Sequence, residues 1–217
     1  VWQVIKPELE FFHDGEVRCL DLPGFGNAQS IPIPYTLHAA AEQLSTQLND
    51  QSILVGWSLG GLFALYIAAH WPDKVAKVVL VASTPFFAQT DEWPGIKPDV
   101  LNAFKDQLVS HREKTIERFL AIQAMGSESA RDDIKQLKAL LNQYPAPQEQ
   151  ALSAGLDILQ QDDLRELFAN LSVPVRGIFG RLDSLVPYRE IEKMHAIQPQ
   201  FEYEVLDKAS HAPFISH

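Results

Sequence analysis

Short apolar runs alternate with amphipathic stretches along most of this chain. Strand-like runs fall at residues 17–20, 52–57, 77–82, 175–179 and 201–206. Helical periodicity marks 37–48, 59–69 and 188–196 between them. Such alternation predicts a mostly parallel sheet with helices on both faces. The rhythm breaks between about Phe87 and Phe168. That segment has no convincing strand and reads as helices near 98–108, 113–125, 129–141 and 147–159. The expected organisation is α/β: 1–86 as the first part of the core, 87–168 as an inserted helical lid, and 169–217 as the second part of the core.

One strand-to-helix junction carries chemistry. Gly56-Trp57-Ser58-Leu59-Gly60 reads G-x-S-x-G, with an apolar strand before it and an apolar helix after it. That setting makes a nucleophile elbow, which exposes a strained serine above the sheet at the positive end of a helix. A side chain at either flanking glycine is expected to clash. A serine hydroxyl needs a base, and the base needs a carboxylate to fix its tautomer. In this architecture the order is Ser, then Asp or Glu, then His. The loop after 175–179 presents Asp183, and the loop after 201–206 presents His211. Both lie past the C-terminal ends of strands, where open α/β sheets bind ligands. Asp163, Asp207, His195 and His217 are the rivals. Asp163 sits in a polar run, Asp207 comes too close before His211, His195 lies within a helix, and His217 has no strand behind it.

Composition narrows the picture. The chain has 217 residues, 46% of them hydrophobic, and a net charge of −10. That fits one globular domain and disfavours nucleic acid as a partner. No run approaches the ~20 apolar residues a membrane helix needs. Cys19, the only cysteine, reads as an inert thiol and fits a reducing cytoplasm. No Cys/His spacing suggests a metal site, and no cofactor is expected. Leu22-Pro23-Gly24-Phe25-Gly26 reads as a structural turn rather than a phosphate loop.

Charge within the helical segment differs from the rest. From Phe104 to Leu140 there are seven Lys/Arg and six Asp/Glu, leaving this stretch at +1 and the remainder at −11. Lys114 and Arg118 are one turn apart, as are Arg131 and Lys135, so each pair shares a helix face. Such a face fits an acidic partner or an ordinary salt-bridged surface, because Glu113, Glu117 and Asp132 interleave. Ile116, Phe119, Leu120 and Gln123 form the apolar stripe of the same region. Trp57 and Trp93 fit either a pocket wall or the core.

The chain resembles the α/β-hydrolases of the single-domain esterase type. Within them it resembles the esterases of bacterial biotin synthesis that cleave the methyl ester of a pimeloyl chain carried on acyl carrier protein. The likeness lies in Leu20-Asp21-Leu22-Pro23-Gly24-Phe25-Gly26, Gly56-Trp57-Ser58-Leu59-Gly60-Gly61-Leu62, the 91–100 stretch from Asp91 to Val100, Glu117-Arg118-Phe119-Leu120, and His211-Ala212-Pro213-Phe214-Ile215-Ser216-His217. It implies Ser58, Asp183 and His211 as the triad and Leu59 N–H as an oxyanion donor. Phe119, Leu120, Ala121, Ile122 and Gln123 would contact substrate. Acyl carrier protein would dock on Lys114, Arg118, Arg131 and Lys135, and the enzyme would act as a monomer. The family also has a His-Gly-x-Gly loop ahead of the position of Val1 and a last helix after His217. The sequence is therefore expected to be a fragment. Two other functions compete: a broad carboxylesterase for short-chain esters, and a non-catalytic binding protein on a hydrolase scaffold. A haloalkane dehalogenase would need a carboxylate where Ser58 stands.

Overall fold

The computed structural model describes residues 1–123 and 130–217, and only the backbone of 109, 110, 112 and 113. After a 3₁₀ turn at Trp2–Val4 come helices α1 (Lys6–Phe12) and α2 (Leu37–Ser45), then β1 (Ser52–Trp57) and α3 (Leu59–His70). Next are β2 (Val75–Val81), then helices α4 (Pro98–Gln123), α5 (Ala130–Leu141), α6 (Glu149–Gln161) and α7 (Arg165–Ala169). The chain closes with β3 (Val175–Gly180), α8 (Tyr188–Ile197), β4 (Glu202–Leu206) and the short α9 (Pro213–Ser216). The four strands form one parallel sheet in the order β1-β2-β3-β4.

The helices form where the pattern demands them. Thr36 caps α2, its hydroxyl accepting from Ala39 N–H at 3.1 Å. Leu37, Ala40, Ala41 and Leu44 then bury one face of that helix. α3 is apolar on nearly every side, as a helix held inside a protein must be. Gly61, Leu62, Phe63, Ala64, Leu65, Ile67 and Ala68 are all buried. Phe168 meets Phe201 edge-on at 5.4 Å, and Phe179 meets Phe201 at 6.3 Å, filling the space under β3 and β4.

The main apolar cluster runs through α2, α3 and the sheet, and takes in Trp93, Ile96, Leu101, Ile158, Leu159 and Phe168. The segment between β2 and β3 is therefore packed into the same core. A second, smaller cluster joins Leu120, Leu137 and Ala212, with Trp57, Ile116 and Phe214 against it.

Two expectations change. Residues 17–20 form no strand. Their neighbour would have to be another strand, and β1 pairs only with β2 among the described residues. Ile53 and Val55 are correspondingly left 46% and 37% exposed. The break expected between helices at 98–108 and 113–125 is present as a kink within α4 at His111, where φ is −144° and ψ 50°. Met125, Ser129 and Glu128, which entered the expected helices and charge count, lie outside the described residues. α7 is an additional helix. The Leu22–Gly26 stretch is indeed a turn: Gly24 N–H donates to Ala28 O and Phe25 N–H to Leu22 O.

Candidate active site

Ser58, Ser83, Asp183 and His211 all emerge from the C-terminal edge of the parallel sheet, the edge where such sheets bind ligands. Ser58 joins β1 to α3 with φ 52° and ψ −123°. A non-glycine residue holds that conformation only when its surroundings impose it. Here Ser58 N–H donates to Val81 O at 3.0 Å, and Ser58 O accepts from Gly61 N–H at 2.9 Å and Ser83 Oγ at 2.7 Å. Gly56 is required, because a Cβ there would fall 2.5 Å from Gly60 O. Gly60 departs from the expectation: nothing lies within 4 Å of where its Cβ would be. The second tight position is Gly61, whose Cβ would meet Ser83 Oγ at 2.1 Å. Leu59 opens α3, so its N–H has no acceptor within the helix and lies at the positive end of the helix dipole.

His211 and Asp183 form the other half of the site. His211 Nδ1 lies 2.8 Å from Asp183 Oδ2, with side chains 1% and 0% exposed. Asp183 Oδ1 accepts from Leu185 N–H at 2.8 Å and Val186 N–H at 3.1 Å. Both carboxylate oxygens are thus held by donors, which fixes the group's orientation. Gly180 lets the two loops meet: a Cβ there would fall 2.2 Å from Ser210 O. Leu182 N–H then donates to Ala209 O at 3.0 Å. The rival groups are engaged elsewhere. Asp163 pairs with Arg165 at 2.5 Å, and Asp207 lies 3.6 Å from Arg181 with its side chain 85% exposed. His195 bonds Phe201 O, and His217 lies beside Ser216 Oγ.

His211 Nε2 is buried and has no hydrogen-bond partner. The structure therefore brings Asp183 and His211 together but does not close a bond from Nε2 to Ser58 Oγ. Such contacts are commonly long in unliganded enzymes and tighten with substrate. His211 N–H donates to Gln123 O at 3.0 Å, so the end of α4 is tied to the histidine loop. Leu120 and Gln123 are buried, Phe119 and Ile122 half-buried, and Ala121 faces solvent. Phe119 meets Phe104 edge-on at 5.6 Å. Lys114 and Arg118 line an open depression of about 500 Å³ with Gln107, His111 and Thr115. Arg131 and Lys135 are exposed on α5.

Residue patterns gave no sign of several supporting groups. Ser83, just past the end of β2, donates its hydroxyl to Ser58 O in the elbow. Glu190, fully buried on α8, accepts from Trp93 Nε1 at 2.9 Å, and its Oε2 has no partner. Burial pushes its carboxyl well above the ordinary carboxylate range, Thr84 and Trp93 partly offset this, and Asp183 adds repulsion. These contacts link positions up to 97 apart in sequence, beyond any local signal. Burial also raises the Cys19 thiol, which keeps it protonated and unreactive. Among the described residues no cluster of three or more His, Cys, Asp or Glu could hold a metal, and no helix is long and apolar enough to cross a membrane.

An elbow serine beside a buried His–Asp pair, on a parallel sheet, belongs to a known class. The chain is a member of the α/β hydrolase fold family, which residues 1–217 match. It is 49% identical to the pimeloyl-[acyl-carrier protein] methyl ester esterase of Aeromonas hydrophila, covering 100% of this chain and 85% of that one. The proteins of the same description from Pseudoalteromonas atlantica and Klebsiella pneumoniae are 46% and 42% identical, with 84% and 83% of their lengths covered and all of this chain. Among solved structures, an esterase from Exiguobacterium antarcticum superposes with a TM-score of 0.83 at 22% identity, covering 99% of this chain and 82% of that one.

Proposed function

We propose that this protein is a serine carboxylesterase that hydrolyses the methyl ester of pimeloyl-acyl carrier protein in biotin synthesis, in the cytoplasm. The buried His211–Asp183 pair on the sheet edge that also carries the strained Ser58 is the observation that carries the esterase chemistry. The relatives' shared description supports the substrate.

Ser58 Oγ attacks the ester carbonyl while His211 Nε2 takes its proton. Asp183 holds Nδ1–H and stabilises the imidazolium. Leu59 N–H donates to the oxyanion. The tetrahedral intermediate collapses, His211 Nε2–H protonates the departing methoxy oxygen to release methanol, and an acyl-serine remains. Water, deprotonated by His211, then releases the carboxylate and restores Ser58.

The 87–168 segment serves as the lid. Its support is physical: Gln123 O holds His211 N–H, and Leu120 packs with Ala212 and Trp57. In this reading residues 119–123 border the acyl chain. Lys114 and Arg118 on α4, with Arg131 and Lys135 on α5, meet the acidic carrier. The reading is tested by incubating the purified protein with methyl-pimeloyl-acyl carrier protein and following the carrier's mass. Conversion to the free acid, abolished in Ser58→Ala, supports it. Hydrolysis of small esters with an intact carrier substrate would leave a general carboxylesterase.

A further inference from the structure

Trp57 fills the variable position before the nucleophile in the G-x-S-x-G turn, where the elbow geometry itself specifies no side chain. Its indole Nε1 donates a 2.7 Å hydrogen bond to the main-chain carbonyl of His211, 154 positions later. The two rings lie 5.8 Å apart at 47°, and Phe214 packs edge-on against the indole at 5.1 Å. On the other side His211 N–H is held by Gln123 O, and Nδ1 is held by Asp183. Three of the residue's four polar groups are therefore tied, and the fourth, Nε2, is the one that exchanges the proton.

The ties do different things. Asp183 sets the rotation and tautomer of the ring, but it does not fix where the backbone carrying that ring sits. The bonds to Gln123 O and from Trp57 Nε1 do, and the Trp57 bond runs from the residue adjoining the nucleophile to the residue bearing the base. It thus sets the distance between Ser58 and His211 by a route independent of Asp183. A positional error of about 1 Å in such a constellation costs on the order of 10²-fold in rate.

We propose that Trp57 is a positioning residue: its indole N–H holds the His211 main chain so that Nε2 meets Ser58 Oγ. This rests on His211 as the general base. Trp57→Phe keeps most of the aromatic body and removes the N–H. On a small soluble methyl ester, kcat should fall roughly tenfold, with KM within about twofold of the parent. In a His211→Ala background the same change should have no further effect on the residual rate, because Trp57 acts only through that residue. Replacing Trp57 with benzothienylalanine, which has sulfur where the indole has N–H, should give the same loss of kcat in a protein that still folds cooperatively. That isostere keeps the test decisive if Trp57→Phe folds poorly. An isostere with parental kcat overturns the proposal. So does a rise in KM alone, or an equal loss in both backgrounds; either makes Trp57 a pocket wall. If His211→Ala itself turns over normally, the triad reading fails and the proposal falls with it. An inactive His211→Ala beside a fully active isostere defeats the proposal alone.

Discussion

At the scale of single residues, the elbow stores strain of about 1–3 kcal/mol at Ser58, and three hydrogen bonds hold it there. The motif made Ser58 and Gly56 legible, because a sharp strand-to-helix turn leaves no room for a Cβ. It could not show that Gly60 faces open space while Gly61 presses on Ser83. That difference depends on Ser83, just past β2, which the motif does not contain. Gly60→Ala should therefore leave melting temperature and kcat near parental values, and Gly61→Ala should lower both. Parental behaviour of Gly61→Ala in a thermal melt would mean Ser83 moves aside freely. For the triad, Asp183→Asn should keep the fold and lose roughly 10⁴-fold in kcat, since an amide stabilises the wrong His211 tautomer. Steady-state rates beside a circular-dichroism melt check both halves. Glu190 gives a pH signature. Its carboxyl is raised above the ordinary value of 4.5, so the folded chain holds that proton more tightly than the unfolded one. The resulting stabilisation is full below that value and is lost as pH rises toward the folded pKa. Glutamine cannot ionise, so the melting temperature of Glu190→Gln relative to the parent should be higher at pH 8 than at pH 4. A difference that does not change with pH would show that Glu190 carries no raised pKa.

Elements were legible where pattern and pairing agree. β1, α3, β3 and α8 follow from apolar runs and helical periodicity alone. Residues 17–20 have the same strand pattern, yet a strand forms only with a partner to bond. The kink in α4 at His111 was legible, because the pattern ends one helix at 108 and starts the next at 113. The contacts of α4 and α5 were only half legible: the stripe of Ile116, Phe119, Leu120 and Gln123 was visible, its partners were not. Leu120 meets Leu137 of α5 and Ala212 of the histidine loop. Leu137→Ala, at a site with no exposure, should cost about 2–5 kcal/mol. Because Ala212 adjoins His211, kcat on a small ester should fall as well. A melting temperature lowered with kcat unchanged would separate this cluster from the site.

Across the whole molecule, charge is distributed against the average. The chain carries −10, yet Lys114 and Arg118 share one depression on α4. Glu117, which could neutralise them, is 2.8 Å from Lys138 of α5 instead. Arg118 lies over the Phe104 ring at 5.8 Å, which orients its guanidinium while leaving it exposed. A basic face on an acidic body orients an acidic partner during approach and repels other basic surfaces. Reversing Lys114, Arg118, Arg131 and Lys135 to Glu should therefore raise KM for the carrier-bound methyl ester with kcat largely unchanged. A small soluble ester should be nearly unaffected, since it meets the triad without docking on that face. Exposed charges act through solvent and are screened by salt. Raising ionic strength should weaken the parent on the carrier substrate and change the reversed variant little. kcat/KM on both substrates at low and high salt tests all of this at once. Equal losses on both substrates would trace to a damaged α4–α5 pair. A reversed variant that matches the parent on both would remove the carrier from this face, leaving the ester chemistry of Ser58, His211 and Asp183 with a substrate of another kind.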